Sequence, residues 1–115
     1  MGWARFLGLV KATQHSVAVT AATDILSSTI QLAYGREVGV FRVSVSFDGA
    51  GAFSARVTKS ATTVGVDLNG GTNLTANALY TFDLPVHTGD TVNFRYSATA
   101  TMLLMRVQEL EAATE

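Results

Sequence analysis

Cysteine is absent from this chain of 115 residues, which excludes disulfide frameworks, thiolate zinc sites and cysteine nucleophiles. Charge is scarce as well. Asp, Glu, Lys and Arg make up 15% of the residues, against the roughly 25% usual for soluble domains. With a formal net charge of −1 and no cluster of Lys or Arg, the chain lacks the electrostatic footprint that phosphate contacts require, and nucleic acid is set aside as a partner. No apolar run approaches the about 20 residues that cross a bilayer, and the first dozen residues lack the organisation of a signal peptide, so no membrane role is expected. Met1-Gly2 opens like a myristoylation signal, but Phe6 stands where Ser or Thr is required. A soluble protein made in the cytoplasm is the simplest expectation.

What is abundant is alternation of apolar and polar residues in short blocks separated by Gly, Asn and Asp. Phe41, Val43, Val45 and Phe47 share one face of a strand whose other face carries Arg42, Ser44 and Ser46. The turn Asp48-Gly49-Ala50-Gly51 leads to Phe53, Ala55 and Val57, so the two blocks read as a hairpin. Val64, Val66 and Leu68 continue the pattern and end at the Asn69–Asn73 loop. Tyr80, Phe82, Leu84 and Val86 follow in a strand that holds the single proline, Pro85; proline cannot donate to a ladder, so this strand is expected to lie at an edge or to end there. Val92, Phe94 and Tyr96 precede a run from Thr99 to Val107 with apolar residues on both faces, which suits a central strand. Ser16 to Thr20 and Ile25 to Leu32 complete the count. The expectation is one all-β domain, an antiparallel β-sandwich of about eight strands wound as a jelly roll, with an immunoglobulin-like Greek key as the alternative. Residues 1–12 read as an apolar arm, 13–110 as the sandwich and 111–115 as a tail.

Residues that carry chemistry elsewhere are dispersed here. His15 and His87 have no second ligand at metal-binding spacing, so no metal is expected. Serines, histidines and Asp24, Asp48, Asp67, Asp83 or Asp90 could be assembled into a triad on paper. No nucleophile elbow supports one, and the aspartates sit in turns where they cap backbone. Asn69-Gly70-Gly71-Thr72-Asn73 matches neither a P-loop nor a dinucleotide fingerprint. The expectation is therefore no catalytic residues, no cofactor and no enzyme activity.

Two features point elsewhere. Trp3, Phe6, Leu7, Leu9 and Val10 place much apolar area ahead of the first clear strand, and leaving it in water would cost roughly 25 cal/mol per Å². This arm either folds back as an extra strand or docks on a neighbouring subunit. Met102 and Leu104 lie in the two-sided apolar strand, which suits a packed centre or an adaptable contact. These seven residues are the candidate protein interface.

The order hairpin, Gly-rich loop, Leu74-Thr75-Ala76-Asn77-Ala78-Leu79-Tyr80-Thr81-Phe82, then Val86-His87-Thr88-Gly89-Asp90-Thr91-Val92-Asn93-Phe94-Arg95-Tyr96-Ser97, resembles small jelly-roll proteins of tailed-bacteriophage virions. It is more loosely similar to the trimeric heads of the C1q and tumour-necrosis-factor type. The resemblance implies a virion structural protein, either a capsid decoration or cement protein or a tail or fibre component, commonly a homotrimer and in contact with the major capsid or another virion protein. The alternative is a carbohydrate- or receptor-binding module of a tail fibre or spike, using the loops at Asp48–Gly51, Asn69–Asn73 and His87–Asp90.

Overall fold

A computed structural model describes the backbone of residues 5–33 and 37–113, with side chains over residues 10–33 and 37–110. Trp3 and the tail residues 114–115 lie outside the described residues. Seven strands form among them: β1 (Arg5–Val19), β2 (Val38–Phe47), β3 (Phe53–Lys59), β4 (Thr62–Asp67), β5 (Tyr80–His87), β6 (Thr91–Tyr96) and β7 (Ala100–Ala113). Every pairing is antiparallel, in one sheet of order β1-β7-β2-β5 and a second of order β4-β3-β6. The protein is an all-β sandwich.

The eighth expected strand, Ile25 to Leu32, is a strap along the outer edge of β6. It touches the ladder at one bridge, Ile30 with Val92. Counted as the second of eight strands, it makes the order 1-8-3-6 in one sheet and 2-7-4-5 in the other, the jelly-roll arrangement. An immunoglobulin-like key, with sheets ABED and CFG, does not fit that order.

The core follows from the period-2 geometry of a strand, which sends alternate side chains to opposite faces. Phe41, Val43, Val45 and Phe47 of β2 are fully covered, and so are Phe53 and Ala55 of β3 and Val92, Phe94 and Tyr96 of β6. Each large apolar side chain so buried contributes roughly 1.5–3 kcal/mol relative to exposure. At one end the filling is aromatic: Phe47 stacks on Tyr96 with ring centroids 3.6 Å apart, and Phe53 stacks on Phe94 at 5.5 Å. Burial pushes the Tyr96 hydroxyl up from its ordinary value, with the nearby Tyr80 and Asp48 charges adding to the effect. That hydroxyl donates to the Gly49 carbonyl at 2.6 Å. The backbone passes so close to the Tyr96 ring that a Cβ at Gly51 would sit 2.8 Å from it. Glycine is what that approach requires.

The long partners β1 and β7 depart from the expected pattern. Ala12 and Gln14 pair with Val107 and Met105, and then Val17 and Val19 pair with Met102 and Ala100. The core-facing positions of β7 therefore step by two and then by three. A register shift against β2 between Ser46 and Phe47 absorbs the extra residue. On β1, Ser16 takes up the change with φ +52°. The apolar run at Met102 to Met105 reflects this slip of phase and not a strand packed evenly on both sides. Met102 is 0% exposed and belongs to the core, which leaves it no surface for another chain.

The divisions expected after residues 12 and 110 do not separate elements. β1 runs through the first, with a bulge between Val10 and Ala12, and β7 runs through the second, pairing Arg5 with Ala113.

Candidate interaction face

The strands carry the candidate residues to different parts of the two sheets. β5 is an edge strand, as Pro85 requires, and its outward residues face those of β2. Asp83 accepts two hydrogen bonds from the Arg42 guanidinium, at 2.8 and 3.0 Å, and Ser44 and Thr81 hydroxyls meet at 3.1 Å. The hydrogen bond from Arg42 holds the Asp83 carboxyl below the usual aspartate range, and the same bond raises Arg42. This corner of the outer face is polar and satisfied by its own pairs.

The neighbouring corner is different. A groove of about 420 Å³ runs over the outer surface of the four-stranded sheet, lined by Val10, Thr13, His15, Ser44, Leu79, Leu104 and Arg106. Val10 is 53% exposed and Leu79 61% exposed. Leu104, one residue out of phase with the core positions of β7, is half-buried on this side. Two of the seven expected interface residues, Val10 and Leu104, thus share one surface. Phe6, Leu7 and Leu9 are placed by their backbone in β1, opposite Ala112, Glu111 and Glu109, and their side chains lie outside the described residues. Leu79 was not singled out by the sequence. It directly precedes the alternating Tyr80-to-Val86 block, where a leucine reads as the lead-in to a strand.

Beneath the same strands lies a buried charge. The Glu109 carboxylate, 0% exposed, accepts from the Ala33 backbone N–H at 2.9 Å and lies 3.2 Å from the Lys11 ammonium. A carboxylate so placed needs its partners, because an uncompensated buried charge is strongly unfavourable. The lysine at the bulge of β1 is thereby turned toward the interior.

The residues that suggested chemistry are kept apart. His15 lines the groove and His87 ends β5. Asp24 pairs with Arg95 at 2.8 Å, Asp48 caps the Thr101 N–H, and Asp90 caps the His87 N–H. Among the described residues no group of three or more His, Cys, Asp or Glu could hold a metal ion. The three loops considered for a glycan divide between the ends of the sandwich. The Leu74 N–H donates to the Gly51 carbonyl, joining 48–51 to 69–73, whereas Thr88 bonds to Glu37 beside the start of β2. A search of known protein families finds no model that matches the chain, and a search of curated proteins finds no match.

Proposed function

We propose that this chain is a non-enzymatic structural subunit of a tailed-phage virion, with capsid decoration or cementing its best-fitting role, and that it is held in place through the outer face of its four-stranded sheet. The observation that carries the reading is the gathering of Val10, Leu79 and Leu104 in one groove, on a face where Val38 is exposed as well and polar pairs cover only the corner at Arg42–Asp83 and Ser44–Thr81. The resemblance of residues 41–110 to small jelly-roll virion proteins supports the setting. Covering a side chain exposed as fully as Leu79 contributes roughly 1–2 kcal/mol. A repeated contact of that size stabilises an assembled particle by mass action, because partners bind the folded subunit and not the unfolded chain.

The test is the size of the assemblies formed by the purified chain, read by light scattering, against a double variant Leu79→Asp/Leu104→Asp. Both positions are on the surface side of the sheet, so the variant should keep the wild-type circular dichroism spectrum and form smaller assemblies. A double variant with assemblies unchanged in size would sink the proposal.

A further inference from the structure

Four strand edges bound the two sheets, and three of them are short, interrupted or covered. β6 lies under the strap: Ala22 and Ile25 donate to Tyr96 and Phe94, Ile30 and Val92 exchange two bonds, and the Asn93 side chain binds both the N–H and the carbonyl of Leu26. β5 carries Pro85, and β4 is six residues long. These are the ways in which edges are kept from pairing with other chains.

β1 is the longest of the four edges and is uncovered among the described residues, although its bulge between Val10 and Ala12 and the turn of phase at Ser16 divide it into shorter regular stretches. It is fifteen residues long, contains no proline, and among the described residues none of its backbone hydrogen bonds leads anywhere but to β7. In an antiparallel ladder alternate residues direct their N–H and C=O groups away from the partner, so about half of the β1 backbone faces outward. A lysine is a common guard on such an edge. Lys11 does not serve as one, because its ammonium is turned in to Glu109. The far end of the strand is also short of neighbours. β2 stops pairing with β7 at Val40–Leu110, while β1 and β7 continue to Arg5–Ala113 as a two-stranded ribbon. A ribbon of two strands is marginal in water.

We infer that the outer edge of β1 pairs antiparallel with β1 of a second copy of this chain, about a two-fold axis, to make one eight-stranded sheet across two sandwiches. A second copy fits for three reasons. The contact is isologous, so one edge serves both partners. Full overlap of the two strands sets Arg5 against Val19 and Lys11 against Thr13 of the partner, so no cation faces a cation. It also lays each ribbon beside the body of the other sandwich. The contact area suffices: fifteen residues at about 3.3 Å give a strip roughly 50 Å by 10 Å, or about 1,000 Å² over both partners, the size a specific interface needs. The pairing deepens the assembly reading above by naming a partner, and it uses the edge of the sheet where that reading uses the face.

Residue-resolved amide hydrogen exchange on the full chain and on the Leu79→Asp/Leu104→Asp variant, with native mass spectrometry of both, tests it. The expected result is a dimer as the smallest unit in both proteins, with consecutive β1 amides protected and the outward half slowed to the rate of the half bonded to β7. Dilution to monomer should restore fast exchange at every second amide. A trimer with alternating protection, a monomer at all concentrations, or protection of β1 only when a different protein is added would overturn the inference. The face reading is scored by the difference in assembly size between the two proteins and the pairing by protection of β1, so a trimer with alternating protection sinks the pairing alone, whereas a monomer at all concentrations sinks both.

Discussion

The outer edges of β6 and β1 solve one physical problem in opposite ways. Both present a row of backbone groups, which cannot be left dry and unpaired. At β6 the chain supplies its own cover, and the buried amide of Asn93 locks Leu26 of the strap in place through both its oxygen and its nitrogen. At β1 nothing within the described residues performs that task, and the cation that could shield the edge is held inward by Glu109. One edge is covered thoroughly and a longer one is bare among the described residues, and the bare edge is the one the proposed pairing uses.

The largest way to disturb this contrast is Glu109→Ala. The substitution removes the acceptor of the Ala33 N–H and the partner of Lys11, and breaking a buried pair of this kind costs about 3 kcal/mol, less in so far as the remaining charge reaches solvent. Urea unfolding should show that loss. Lys11, once released, should turn to the edge and weaken any pairing of β1, which light scattering would register as smaller assemblies.

A smaller effect is expected from Asn93→Ala. It leaves the Leu26 N–H and carbonyl, and the Phe94 N–H that Asn93 also bonds, without that partner, at a cost of about 2 kcal/mol. Hydrogen exchange should accelerate across residues 22–30 and along β6 while β1 is unaffected. Equal acceleration in both places would show that the two edges are not independent.

The smallest effect lies on the outer face, where Arg42 and Asp83 are both well exposed and their pair is screened by solvent. Because the folded-state pKa of Asp83 is depressed, its contribution is fully present above the ordinary aspartate range and is lost as the pH falls through the lowered value. A slight decline in stability is expected in acid, and Asp83→Asn should remove that part of the slope.

The same comparison explains what could be read from the sequence. β2 was legible because Phe41, Val43, Val45 and Phe47 alternate without interruption, and Pro85 alone pointed to an edge or an end for β5. The ends of β1 and β7 were not. Residues Gln108 to Ala113 are mostly good helix formers, and only pairing with a strand from the other end of the chain makes them extended. The apolar residues of the strap fit a strand, but its attachment to β6 is irregular, with spaced backbone bonds supplemented by the Asn93 side chain, which no alternation reveals. Of the candidate face, Val10 and Leu104 were found through their apolar character. Leu79 was hidden beside a strong strand pattern, and Met102 was misplaced because a bulge shifts the phase of β7 by one residue. The Lys11–Glu109 pair joins residues separated by nearly the whole chain, and no local signal anticipates it.

In the proposed role this sandwich works by meeting other chains along its four-stranded sheet. Native mass spectrometry of the chain over a range of concentrations tests this most directly. Discrete oligomers that grow at higher concentration are expected; a single species of one chain throughout the range would contradict that role.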